Sequence, residues 1–260
     1  MLDALETADE DIERVSSSVL LVTDYALSGD QDVRTGSLQY RRTPGQDGRS
    51  LKQFKVRFDQ TITGQVIDKN PREYIFDGEW LVEKFVNEKQ FIKRQMVPPG
   101  EHWDPLRLGE GPFPVPIGQR RDDILSEYIA ELASDAADGL EHARLIEQSQ
   151  DTYQLVLRPR PAFRDTSDFD LVRIWYDTGS LLPKMIRADK PTGDVTTVIL
   201  RGLATGDSIE IPNDLFDTTP PKVGEGWDVS VEPWRTRDPL TGTVEGAERR
   251  EDSIKVEGGR

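Results

Sequence analysis

The sequence has no cysteine, only two histidines and no long apolar run. Without cysteine there is no disulfide, no thiolate nucleophile and no cysteine-ligated metal site. No apolar run approaches the roughly 18 residues that a membrane-spanning helix needs, so we expect no such helix. The absence of cysteine does not select a cellular compartment, because cysteine-free proteins occur on both sides of a membrane.

Residue patterns that usually carry catalysis are also missing. His102 lies in a predicted loop and His142 in a predicted strand, and neither belongs to an HExxH zinc motif. No serine has a GxSxG or SxxK context, and no glycine-rich stretch matches a phosphate-binding loop. The adjacent Asp122 and Asp123 are explained more simply by the positive end of a helix dipole than by acid–base catalysis. We therefore predict that the protein is not an enzyme, with no catalytic residue, no metal and no cofactor.

Basic residues are fewer than acidic ones, with 33 Lys and Arg against 48 Asp and Glu, which gives a net charge of −15. Most of this excess lies in residues 1–14 and 121–151. A chain with this charge is poorly suited to a phosphate backbone, so we expect no nucleic-acid partner. Its length of 260 residues is sufficient for a large core that needs no covalent staple.

Two segments have the spacing of amphipathic helices. In residues 2–16 and again in residues 120–135, apolar residues recur every three or four positions. Acidic residues occupy the other face of each segment. We predict one helix in each segment, with both helices covering the same face of the protein.

The remaining pattern is that of antiparallel hairpins. Phe54, Val56 and Phe58 alternate with charged residues, which is the period of a half-buried strand. Other extended segments, including 140–148, follow one another through turns such as Asp77-Gly78, with no alternation of strand and helix. We predict a mainly β fold class with some α: an unclosed antiparallel β-barrel, or strongly curved sheet, covered on its concave side by helices. From the alternation alone, an apolar cavity and a solid core both remain open.

The predicted domain covers residues 1–234, and residues 235–260 form a polar tail without aromatic residues. Within the domain, the proline-rich segment 98–119 suits an extended crossing, since proline cannot donate along a strand ladder. Residues 209–234, with Pro212, Pro220 and Pro221, are predicted to be irregular.

Several segments, taken in order, resemble motifs of the outer-membrane lipoprotein carrier family (LolA-like). The ordered set is more specific than any one of its members and spans about residues 1–231. The segments are LQYRRTP (38–44), FKVRF (54–58), YIFDGEWL (74–81), YQLVLRP (153–159) and LFDTTPP (215–221), followed by GWDV (226–229).

The resemblance implies a non-enzymatic, monomeric periplasmic carrier in which helices form a lid over an apolar cavity. Its cargo would be the acyl chains of lipoproteins or other lipids. Its partners would be an inner-membrane release complex and an outer-membrane receptor. The chain opens Met-Leu-Asp without a leader-like segment. A periplasmic or cell-envelope location therefore implies a removed leader, and without a leader the expectation is cytoplasmic.

The resemblance also assigns roles to individual residues. Arg42 matches a basic residue that latches the lid, and Phe54 matches an apolar residue that helps to hold cargo. We extend the predicted cavity lining to Val56 and Phe58 on the same strand, and to Trp175 as a companion.

A second function of a different class fits the same fold. A non-transporting sensor or scaffold of the cell envelope would bind a lipid or a mislocalised lipoprotein and change a protein contact. Such a protein would carry a second folded domain or a structured partner segment. The polar composition of residues 235–260 favours the carrier.

Overall fold

The computed structural model describes residues 1–10, 12–44, 50–97 and 121–234. Predictions for residues 45–49, 98–119 and 235–260 lie outside these ranges, so the proposed tail stays a prediction. The described helices are α1 (Leu2–Glu10), α2 (Arg121–Glu127), α3 (Ala143–Gln148) and a 3₁₀ helix (Asn213–Phe216). The strands are β1 (Arg14–Asp24), β2 (Gln31–Pro44), β3 (Ser50–Thr63), β4 (Val66–Asp68), β5 (Arg72–Phe76), β6 (Trp80–Phe85), β7 (Gln90–Gln95), β8 (Tyr128–Leu132), β9 (Thr152–Pro159), β10 (Leu171–Asp177), β11 (Pro183–Asp189), β12 (Val195–Thr205) and β13 (Asp228–Glu232).

The described strands form one sheet of 13 strands in the order β13-β7-β6-β5-β3-β2-β1-β12-β11-β10-β9-β8, with β4 paired to β3. β13 runs parallel to β7, and the other pairs are antiparallel. The two end strands, β13 and β8, do not pair with each other, so the sheet stays open. The predicted fold class, an open curved sheet that is mainly antiparallel, is confirmed.

The two faces of the sheet follow from the alternation of side chains along each strand. One face carries a continuous apolar cluster that runs from Leu81 in β6 to Leu155 in β9. Leu5 of α1 and Ile124 of α2 belong to the same cluster. Both helices therefore cover this face, as predicted, and we call it the inner face.

The outer face is apolar towards both ends and polar between them. At one end, Trp175 and its neighbours pack under Leu140 and Leu145 of the segment that contains α3. At the other end, Phe91 and its neighbours pack under Phe216 of the 3₁₀ helix. Between these clusters the outer face carries ion pairs such as Arg57 with Glu73, so it offers no continuous apolar surface within the described ranges.

Both predicted amphipathic helices are shorter than expected. α1 ends at Glu10, and β1 begins at Arg14 instead of near residue 17. α2 ends at Glu127, and residues Tyr128–Leu132 form the edge strand β8. Tyr128 and Ile129 favour extended structure, and Tyr128 is buried while Ile129 is exposed, as expected for an edge strand.

Two predictions after residue 139 are wrong. Residues 140–148 were expected to form a strand, but they contain α3, whose Ala, Arg, Leu, Glu and Gln residues favour a helix. Residues 209–234 were expected to be irregular, but they contain the 3₁₀ helix and β13. β13 pairs with a strand more than 130 positions earlier in the chain, a contact that local sequence does not encode.

Candidate functional site on the inner face

The predicted residues of β3 form an apolar floor on the inner face. Phe54, Val56 and Phe58 are 1%, 3% and 1% exposed. The ring of Phe54 stacks on that of Phe76 with centroids 5.8 Å apart. The ring of Phe58 meets the edge of Tyr74 at 6.4 Å. The floor, as we use the word, comprises these three residues of β3 and the two rings of β5.

Trp175, the predicted companion of these residues, is not part of the floor. It lies in the outer-face cluster with Met185 and Ile199, and its indole Nε1 donates to the carbonyl of Ala136 at 2.6 Å. Its neighbours in β10, Ile174 and Tyr176, lie in the inner cluster instead. Grouping Trp175 with Phe54 was therefore wrong, because side chains alternate between faces and the phase of β10 relative to β3 is fixed only by pairing.

Arg42 lies where the helical cover joins the sheet. Its backbone N–H donates to the carbonyl of Glu13, in the segment between α1 and β1, at 2.7 Å. By strand alternation its side chain is on the same face as Leu38 and Tyr40, which belong to the inner cluster. Arg42 is thus on the inner face and next to the end of α1, while its role as a latch stays a prediction.

The helical cover of the floor is made of two short pieces from different parts of the sheet. α1 leads into β1 in the middle of the sheet, and α2 leads directly into β8 at one edge. Leu5 and Ile124 bury their side chains in the inner cluster. Arg121 and Asp3 join the helices through an ion pair of 3.3 Å between exposed side chains, which contributes little in water. The two helices therefore join the sheet at separate places.

A polar rim that the sequence pattern does not predict lies at one end of the inner face. Arg34 is paired with Leu21 of the inner cluster, and Arg72 is paired with Phe58 of the floor, so both arginines lie on this face. Tyr74 lies beside them, and burial together with the nearby Glu83 raises its pKa, against the opposing effect of the two arginines. The two arginines are 38 positions apart, and only the strand register brings them together.

The described residues contain neither a metal-binding cluster nor a membrane-spanning helix. No group of three or more His, Cys, Asp or Glu side chains in the described ranges is arranged to hold a metal ion. Within the same ranges, none of the helices has the length and apolar content that a membrane span requires.

Comparisons with known proteins give structural neighbours only. No family model and no curated protein matches the sequence. A LolA superfamily protein from Nitrosomonas europaea is 12% identical, with 83% of this chain and 97% of that chain covered and a TM-score of 0.36. The structure of the MucA/MucB complex of Pseudomonas aeruginosa is 14% identical, with 94% of this chain and 72% of that chain covered and a TM-score of 0.42. An uncharacterized conserved protein from Thermus thermophilus is 9% identical, with 90% of this chain and 96% of that chain covered and a TM-score of 0.47.

At these identities the likeness is one of fold alone. The open sheet and its helix-covered inner face are described above from the chain's own strand pairing and burial. An open, mainly antiparallel sheet with a helix-covered face is also the architecture that the ordered sequence motifs imply, while membership of the LolA-like family stays a prediction.

Proposed function

We propose that the protein is a non-enzymatic carrier of the cell envelope that binds the acyl chains of lipoproteins or other lipids. The chains would lie on the inner floor, between the sheet and the helices α1 and α2. The observation that carries this proposal is the floor itself: an aromatic and aliphatic surface closed by two short, weakly joined helices.

The chemistry of the floor suits a saturated chain. Each methylene that leaves water for an apolar surface contributes about 0.8 kcal/mol, so a long chain supplies a large driving force. Phe54, Phe58 and Phe76 offer ring surfaces and carry no polar group that would need a hydrogen-bond partner. A single acyl chain can therefore replace the helices as the cover of these rings.

In the proposed mechanism the described conformation is the closed one, in which the floor residues of β3 are at most 3% exposed. An acyl chain reaches them only when Leu5 and Ile124 move away. On release, the helices return to the floor and recover part of the burial that the chain loses. Such competition between cover and cargo lets a carrier bind an apolar chain and still deliver it.

A periplasmic location belongs to the same proposal, as do an inner-membrane donor complex and an outer-membrane acceptor. A transfer experiment distinguishes a carrier from a sensor of the same fold. A carrier passes a bound acylated peptide to acceptor vesicles that bear its receptor. A sensor binds the peptide and retains it.

The first test is the affinity of the protein for a fluorescent fatty acid. Phe58→Glu places a carboxylate on the floor, where an unpaired charge costs several kcal/mol, so binding should be lost. Ile67→Glu is the matched control. Ile67 lies on β4 and is 57% exposed, so this substitution should leave the affinity unchanged.

Circular dichroism shows whether each variant is folded. Phe58→Leu keeps an apolar side chain at the same position and is expected to bind nearly as well as the wild type. A folded Phe58→Glu protein with wild-type affinity, or a wild type that binds no acyl chain, would contradict the proposed site.

A further inference from the structure

Two arginines at the rim of the floor have donors without acceptors among the described residues. The Nε atoms of Arg34 and Arg72 are both buried and have no hydrogen-bond partner there. Buried polar atoms are satisfied in the great majority of cases, by protein, water or ligand, so two unpaired Nε donors on one rim suit an acceptor that a ligand supplies. Because Arg72 is directly opposite Phe58 in the strand register, this rim borders the floor.

The charges around the rim leave Arg72 without a counterion in the described ranges. Its guanidinium lies over the ring of Phe85 at 5.2 Å and makes no ion pair with a described residue. Glu83, the nearest acid on the neighbouring strand, is already bound by Arg94. A partly buried guanidinium with five donors and no carboxylate favours an incoming anion.

Among the described residues, Arg34 has a single ion-pair contact with an acidic side chain, and that contact is long. Its Nη2 is 3.8 Å from Asp32. The carboxylate of Asp32 also accepts hydrogen bonds from Tyr25 and Thr63, which further satisfy its charge. Both arginines act on the pKa of Tyr74, so their charges reach the same point of the rim.

We propose that Arg34 and Arg72 bind the anionic head group of an acyl ligand, a phosphate or a carboxylate, while its chain lies on the floor from Phe58 onwards. This inference rests on the proposed carrier function and narrows its ligands to lipids with a negatively charged head. Planar guanidinium groups match the oxygens of both phosphate and carboxylate. The adjacency of Arg72 and Phe58 places the charged and apolar parts of one ligand side by side.

The test compares two ligands with the same chain, palmitate and hexadecanol, at pH 8, where the carboxylate is ionised. Each displaces a neutral fluorescent acyl probe from the full chain. The wild type should prefer palmitate by about tenfold or more, as a charge-assisted hydrogen bond implies. Arg72→Gln and Arg34→Gln should lose most of this preference and keep the affinity for hexadecanol, which also shows that they are folded.

Arg158→Gln is the matched control, because Arg158 is 52% exposed and pairs with Glu131 away from the rim, so the preference for palmitate should persist.

A third arm uses inorganic phosphate alone and measures thermal stabilisation. If phosphate stabilises the wild type while palmitate has no advantage over hexadecanol, the rim binds a free anion and the head-group assignment is overturned. If both ligands bind equally to all variants, the inference fails and the carrier function stands. If neither ligand binds, the carrier function fails and this inference fails with it.

Discussion

Arg41 and Arg42 are consecutive in β2 but serve opposite faces of the sheet. The guanidinium of Arg41 donates to Gln53 at 2.8 Å and lies 4.9 Å from the ring of Phe216, on the outer face. Arg42 lies on the inner face, and its backbone N–H donates to the carbonyl of Glu13, in the segment between α1 and β1. The pair is therefore a natural test of whether the inner-face arginine controls the helical cover.

Arg42→Leu should slow the release of a bound acylated peptide. If Arg42 donates two hydrogen bonds only in the closed state, their loss shifts the closed–open ratio by about a hundredfold or more. Arg42→Lys should rescue only in part, since an ammonium lacks the planar fork of a guanidinium. The measurement is the off-rate of the peptide, with Arg41→Leu as the control on the other face. Equal off-rates for folded wild type and Arg42→Leu would show that Arg42 does not act as a latch.

Gly36 of β2 lies next to a β-bulge and directly opposite Phe58 of the floor. A Cβ atom at this position would lie 1.8 Å from the carbonyl oxygen of Arg57, so the backbone of β3 would have to move. Gly36→Ala should lower the free energy of unfolding by roughly 1–3 kcal/mol. Urea denaturation measures this loss, and Gly179→Ala is the control, because its nearest contact would be an ordinary 3.4 Å. Equal midpoints for the two variants would refute the close approach.

At the scale of elements, the cover is formed by two helices that meet from different parts of the chain. α1 precedes β1 and α2 precedes β8, so each helix is tied to the sheet at its C-terminal end. Their contact includes the exposed ion pair between Asp3 and Arg121. In the proposed opening, α1 and α2 move apart.

Cross-linking the helices should close the floor to ligands. The sequence has no cysteine, so in Asp3→Cys/Arg121→Cys only the two introduced thiols react with a bis-maleimide that contains a cleavable disulfide. We expect the cross-linked protein to bind a fluorescent fatty acid much more slowly than the wild type, and reduction of the linker to restore the rate. Each single variant treated with the same reagent is the control. An unchanged rate in the cross-linked protein would mean that ligands enter elsewhere.

Local sequence predicts an element well where one periodicity is sustained. The alternation of Phe54, Val56 and Phe58 with charged residues identified β3 and its buried face correctly. Local sequence predicts an element poorly where the element is short or lies at the edge of the sheet. β8 is an edge strand that continues directly from α2, and α3 has only 6 residues. In both places, packing against distant strands decides the conformation more than local propensity does.

At the scale of the molecule, the fold class and the helix-covered face were predictable, but the relation between distant strands was not. Trp175 was assigned to the wrong face because nothing local sets the phase of β10 against that of β3. Arg34 and Arg72 were missed for the same reason, since their placement on one rim depends on the pairing of β2, β3 and β5. The sequence thus placed Phe54, Val56 and Phe58 on the covered face but did not predict the rim.

In the proposed carrier, acyl chains bind on the inner face of the sheet. The most direct test is photo-cross-linking with a fatty acid that carries a diazirine on its chain, followed by peptide mass spectrometry. We predict cross-links on β3 and β5, at or next to Phe54, Phe58 and Phe76, and their loss when unlabelled palmitate competes. Cross-links concentrated at the outer-face clusters around Trp175 and Phe216, or no competable cross-link at all, would contradict the claim.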